Sequence, residues 1–195
     1  MRRAKPLPRS FYERDVVTVS RELLGKVVVH QVGGVLLGGR IVETEAYEGS
    51  EPACHAYQRR TARVEGLYGR AGHAYVYFSY GMHWMLNVVT GPVDFAAAVL
   101  VRALEPVAGI AAMRAYRGEV PHRELMRGPG KLAQALAIGS SQNGADMTRG
   151  TLTIRDTAGM RPVRVSARIG ISKAVELPWR FYVDSPYVSK ARPKH

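Results

Sequence analysis

The 195-residue chain has a single cysteine, Cys54, which excludes an intramolecular disulfide, a Cys-x-x-Cys redox pair and a cysteine zinc site. No run approaches the ~18 apolar residues that a membrane-spanning helix needs. The opening residues, Met1-Arg2-Arg3-Ala4-Lys5-Pro6, lack the apolar stretch of a secretory signal, so the cytoplasm is the expected location. Acidic residues are scarce: 16 Asp+Glu face 28 Lys+Arg, for a formal net charge of +12. Such an excess points to a polyanion or an anionic membrane surface, and nucleic acid is the simpler choice. Repeats, linkers and low-complexity blocks are also missing. What remains is core material, 46% hydrophobic, enough for one compact domain.

The chain is organised around Arg40-Ile41-Val42-Glu43-Thr44-Glu45-Ala46-Tyr47. Branched and aromatic residues between Gly38-Gly39 and Gly49-Ser50 predict a strand. Alternation places Ile41, Glu43, Glu45 and Tyr47 on one face and Val42, Thr44 and Ala46 on the other. If the small apolar set packs inward, the carboxylates and the ring look into solvent or a cleft. Two neighbouring carboxylates beside a flat ring suit proton chemistry, although the same pattern also describes a plain solvated face.

Around this strand, residues 1–9 read as a basic, proline-interrupted arm, loosely ordered and able to lie along phosphates, with one domain over 10–195. Ser10 and Glu13 resemble a capping box for a helix that Gly25 stops. Gly33-Gly34 between Val32 and Val35 is a two-residue hairpin signal, so the sheet begins antiparallel. Residues 48–73 form a long loop carrying Arg59, Arg60, Arg63 and Arg70, and loops of that length are commonly functional. His55 is near enough to fold back over the Glu45 face, while adjacent Cys54 points away from it on an extended segment, against a Cys–His nucleophile.

Two β-rich runs flank Tyr80-Gly81-Met82, which predicts a hairpin turn with Tyr80 at its tip. In so basic a chain an exposed tip ring, with Met82 beside it, is a candidate wedge between bases. Tyr75 and Tyr77 share a strand face and could wall a stacking pocket. The alternative, cross-strand core pairing, suits Phe78 and Tyr75. Asn87, polar in an apolar strand, requires a hydrogen-bond partner or a ligand. Arg102, in the apolar run Ala97 to Leu104, requires an anionic or π partner. Pro106 is expected to open a short helix reaching Tyr116. Gly128-Pro129-Gly130-Lys131 precedes another, whose start with Lys131 is a candidate phosphate contact without being a P-loop. Short strands at 152–154, 163–168 and 181–183 lead to a basic end with Lys190, Arg192 and Lys194.

Five ordered blocks carry a resemblance: 40–47, Tyr-Val-Tyr-Phe-Ser-Tyr-Gly-Met at 75–82, Val-Arg-Ala-Leu-Glu-Pro at 101–106, Gly-Pro-Gly-Lys-Leu-Ala-Gln-Ala-Leu at 128–136 and Arg-Phe-Tyr-Val-Asp-Ser-Pro-Tyr-Val-Ser at 180–189. Together they resemble the alkyladenine (3-methyladenine) DNA glycosylases, in a bacterial-type member. The resemblance implies a single-domain mixed α/β (α+β) fold around a curved, mainly antiparallel sheet flanked by helices. It also implies a monofunctional, metal-free and cofactor-free enzyme that flips a damaged purine from duplex DNA and hydrolyses its N-glycosidic bond. By motif position Glu45 resembles the general base for the attacking water, with Arg102 near that carboxylate. Tyr47 and Tyr77 resemble the two walls of the base pocket, His55 a contact to base and sugar-phosphate, and Asn87 the group that disfavours undamaged guanine. Tyr80 resembles the residue inserted into the duplex. The Glu45-to-His55 spacing is slightly shorter than in vertebrate members, and Cys54 replaces a small residue. Damaged double-stranded DNA is the implied partner of a monomer needing no obligate protein partner and no membrane.

Two rival readings come from other classes, and a third is a variant of the glycosylase reading. A non-catalytic nucleic-acid module explains the charge but leaves Glu45 repulsive on the binding face. A nuclease could use Glu43, Glu45 and His55 as metal ligands, though their spacing matches no metal motif. A glycosylase/lyase would need a lysine or the N-terminal amine as Schiff-base nucleophile.

Overall fold

Gly33 and Gly34 sit at φ +53° and +82°, the left-handed pair that a two-residue hairpin demands. They join β1 (Val27–Val32) to β2 (Val35–Glu48), with Val32 opposite Val35 as the sequence predicts. The computed structural model describes residues 4–79, 81–157 and 162–190. The remaining strands are β3 (Ala74–Ser79), β4 (His83–Val89), β5 (Ala97–Ala108), β6 (Leu152–Arg155), β7 (Val163–Ser166) and β8 (Arg180–Val183). They form one curved antiparallel sheet in the order β3-β4-β5-β2-β1-β6, and β8 pairs with β2 and carries β7. With helices α1 (Arg9–Tyr12), α2 (Val16–Glu22), α3 (Ile110–Arg117) and α4 (Pro129–Ala135), this is the mixed α/β fold anticipated.

β2 is the hub because it changes partners along its length. Its first half pairs with β1, and over Glu43–Glu45 it lies between β5 and β8. A main core of Leu37, Ile41, Val42, Leu86, Leu104, Leu132, Phe181 and their neighbours fills the space between sheet and helices. A second, smaller cluster, including Cys54, Val64, Leu67, Tyr75, Val89 and Ala98, lies where loop 49–73 packs against the sheet. That packing gives the long loop a fixed place without regular structure, apart from one 3-10 turn at Glu65–Tyr68.

Several local expectations are corrected. The helix near the N-terminus is capped by Asp15, whose side chain accepts from Thr18 N at 2.8 Å, and not by Ser10. The strand containing Pro106 runs on to Ala108, and Gly109 (φ +75°) makes the turn into α3. Proline is tolerated there because the ladder is irregular at that point: Gly39 pairs with Pro106 but Gly38 with Ala108, leaving Val107 as an extra residue. Residues 4–9 of the basic arm are docked: Leu7 is buried and its N–H bonds to Ile154 O, while Arg9 donates to Ala71 O and, at 2.8 Å, to Asp146. The expectation of a loosely ordered arm is therefore corrected for residues 4–9, and residues 1–3 lie outside the described residues. Among the described residues no helix is long and apolar enough to cross a membrane.

Candidate active site

Strict alternation along β2 fails at one point, and the failure builds the site. Ile41 pairs with Leu104 but Glu43 with Ala103, so Val42 is an extra residue on β2; Thr44 then pairs with Val101, so Arg102 is an extra residue on β5. Bulges re-aim side chains. Ile41 and Val42 both enter the main core, and Arg102, freed from the ladder, reaches between the two carboxylates.

The expectation that Glu43 and Glu45 face solvent or a cleft is overturned, because both are fully buried. β5 and β8 flank this part of β2 and bring their own donors. Arg102 donates through Nε to Glu43 Oε1 (3.2 Å) and through Nη1 to Glu45 Oε2 (3.0 Å). Glu43 also accepts from Arg180 Nε (2.6 Å), Ser189 N (2.7 Å) and Ser189 Oγ (2.8 Å). Glu45 accepts from Tyr47 Oη (2.8 Å) at Oε2 and from Ile169 N (2.7 Å) at Oε1. Buried carboxylates need this density of donors. Burial, with the Glu45 charge and hydrogen bond, raises the Tyr47 hydroxyl well above the ordinary phenol range, so it remains a donor. For Arg102 burial pulls the other way, but Glu45 and Glu43 more than offset it and the guanidinium stays charged.

Next to this buried pair opens a cleft of about 1430 Å³, whose lining includes Tyr47, His55, Tyr77, Asn87 and Arg102 together with Arg127 and Lys131. It exceeds the ~300–1,000 Å³ usual for a small-molecule site. The structure therefore brings together most of the residues singled out in the sequence. The His55 ring meets Tyr77 edge-on, with centroids 4.6 Å apart. Partial burial, then the charges of Arg63 and Arg59, lower its pKa, which favours the neutral imidazole. Cys54 turns the other way into the small core, and burial pushes its thiol up to about 11. Asn87 satisfies its amide by donating to Tyr75 O at 3.0 Å. Lys131, at the start of α4, is paired with Glu124 Oε2 at 2.6 Å.

The β3–β4 turn forms as expected, with Ser79 opposite His83 and Gly81 at φ +67°. Met82 is 67% exposed on it, whereas Tyr80 lies outside the described residues. Tyr75 is a core residue, but Phe78, expected in the core, is 44% exposed and rests on Trp84 at 4.9 Å. The difference follows from position: Phe78 lies near the free end of the hairpin, past the second core.

Sequence reasoning missed Glu51, Arg168, Arg180, Ser189 and the Ile169 amide. Glu51 sits in a loop and the others in the C-terminal quarter, far from Glu45 in sequence, so periodicity carried no signal for them. Among the described residues no group of three His, Cys, Asp or Glu is arranged to hold a metal ion.

Comparison with known proteins bears on this arrangement. The family described as Methylpurine-DNA glycosylase (MPG) matches residues 10–186. A protein of Carboxydothermus hydrogenoformans named "Putative 3-methyladenine DNA glycosylase" is 50% identical over 188 residues, covering 94% of this chain and 98% of its own length. Proteins of the same name from Methanoculleus marisnigri and Chlorobaculum tepidum are 48% and 43% identical, covering 94% and 97% of this chain and 98% and 93% of their own. Nearly the whole chain is matched, including every element that surrounds Glu45, and the protein therefore belongs to the methylpurine-DNA glycosylase family of DNA repair glycosylases.

Proposed function

We propose that this glycosylase flips alkylated or deaminated purines, among them 3-methyladenine, 7-methylguanine, hypoxanthine and ethenoadenine, out of duplex DNA and hydrolyses the N-glycosidic bond with a Glu45-activated water. The observation that carries this reading is the setting of Glu45: a buried carboxylate directly behind an aromatic-lined cleft, with three donors fixing both oxygens. Scission leaves an oxocarbenium-like sugar, and a preorganised carboxylate stabilises that charge without reorganising. Glu45 Oε1 takes one hydrogen bond from Ile169 N and retains a second acceptor direction for the O–H of a water. Arg102 lines the cleft and fixes Oε2, so it orients the carboxylate. The water adds to C1′, its proton passes to Glu45, and the purine departs with the bonding electrons. A cationic base leaves readily, and a neutral one needs protonation.

The pocket roles are those the family resemblance implies, and they are supported by the cleft lining, which includes Tyr47, His55, Tyr77, Asn87, Met82 and Lys131. Tyr47 and Tyr77 provide stacking surfaces, neutral His55 contacts the base or its sugar-phosphate, and Asn87 screens against guanine. Met82 and Tyr80 at the β3–β4 turn fill the gap left in the duplex, and Lys131 meets backbone phosphate by exchanging its Glu124 partner. Flipping costs a few kcal/mol, least for a damaged or mismatched base, so selection begins before chemistry. We infer a monomer acting in the cytoplasm, without a cofactor, and releasing an abasic site.

The test is base release from duplexes carrying hypoxanthine, and separately 7-methylguanine, in EDTA. Wild type is expected to form abasic sites, and Glu45→Gln to lose about 10³-fold or more in single-turnover rate while still binding. Equal rates would remove Glu45 from the mechanism. Salt-sensitive binding with no release by wild type would favour a non-catalytic module.

A further inference from the structure

One buried ion pair beside the cleft takes no part in the Glu43–Arg102–Glu45 network. The Arg168 side chain is completely buried and meets Glu51 in a two-pronged pair, Nη1 to Oε1 at 2.6 Å and Nη2 to Oε2 at 2.9 Å. Nη1 also donates to Ala46 O at 2.9 Å. The guanidinium carbon lies 4.6 Å from the Tyr47 ring centroid and 5.4 Å from that of Trp179. A flat cation with no exposure of its own therefore covers one face of a ring that lines the cleft, beside which Arg168 also lies.

Packing alone does not call for this pair, since well-packed hydrophobic residues of similar volume serve a buried site as well or better. Its distinguishing consequence is electrostatic. An aromatic face attracts a cation through its quadrupole, but a bare guanidinium on the rear face would repel a second cation stacked on the front. Glu51 supplies the opposing charge at hydrogen-bonding distance, so the ring is backed by a compensated pair.

We propose that the Glu51–Arg168 pair is a charge-compensated backing for Tyr47 that allows one ring to accept cationic as well as neutral damaged purines, with Glu51 as a specificity-determining positioning residue. The inference rests on the reading of Tyr47 as a stacking surface.

The experiment compares single-turnover base release from duplexes carrying 7-methylguanine, a cation, and hypoxanthine, which is neutral, for wild type, Glu51→Gln, Arg168→Gln and the double variant. Circular dichroism reports folding, and the readout is the ratio of the two rates. In Glu51→Gln the ratio is expected to fall by about tenfold, the scale of an uncompensated charge across one ring in a partly desolvated site. The double variant, neutral at both positions, returns it to within about threefold of wild type, and Arg168→Gln raises it by about threefold. A purely structural clamp slows both substrates together and leaves the ratio constant in every variant, which overturns the proposal. Should Glu51→Gln fail to fold, Arg168→Gln decides: an unchanged or lower ratio overturns it. A wild type that releases neither base removes the underlying glycosylase reading, whereas an active wild type with a constant ratio removes only this inference.

Discussion

Glu43 holds two guanidiniums and both donors of Ser189 at once, with no exposure to solvent. Removing one partner of a buried charge network strands the others. Glu43→Gln is therefore expected to destabilise the fold by about 3 kcal/mol, read by urea unfolding at neutral pH. It should also slow catalysis by loosening Arg102, which Glu43 and Glu45 share. A loss below about 1 kcal/mol would mean that Arg180 and Arg102 find other counter-charges. At this scale alternation made two carboxylates and a tyrosine on one strand face legible, while singling out Glu45 as the candidate base came from the family resemblance. Their burial was not legible. It depends on Arg180 and Arg102, which only strand pairing sets beside them. The Glu51–Arg168 pair was equally hidden, because its members are 117 residues apart.

Among the elements, β2 shows how backbone approach constrains sequence. Gly38-Gly39 reads as punctuation before a strand, yet it lies within β2 opposite β5. A Cβ on Gly39 would fall 2.8 Å from both Leu104 Cβ and Met126 Sδ. The crowding involves core side chains from β5 and the segment before α4, so relief would shift both. Gly39→Ala is expected to lower stability by about 1–3 kcal/mol. Gly33→Asn, at a left-handed turn position with nothing within 4 Å of an added Cβ, should be close to neutral. Thermal melts of the two variants check the contrast, and a harmless Gly39→Ala would show that β5 and the segment before α4 give way readily. The Gly33-Gly34 turn was readable because its chemistry is local. The paired bulges at Val42 and Arg102 were not, because a bulge is a relation between two strands.

For the whole molecule, the +12 charge, the arginines of loop 49–73 and Lys131 at the cleft lead us to expect phosphate contact as the main electrostatic term. If about four phosphates are engaged, affinity for an undamaged duplex should fall about a hundredfold between roughly 50 and 200 mM salt. Fluorescence anisotropy across that range checks it, and a flat response would place the basic excess away from the DNA. Single-turnover release at saturating protein should change far less, since Glu45 is buried beyond the reach of mobile ions.

By itself the sequence determined the first hairpin, the alternating Glu43-Glu45-Tyr47 strand and the basic excess, because turn chemistry, side-chain alternation and net charge are local or additive properties, while the mixed α/β class followed from the resemblance of its ordered blocks. Only the tertiary structure decided that the carboxylates are buried, that Arg102 bridges them from a bulge, that Phe78 faces outward and that Glu51 meets Arg168 behind Tyr47. Each of these depends on which distant segment lies against which, and the chain fixes that only when the sheet closes around β2.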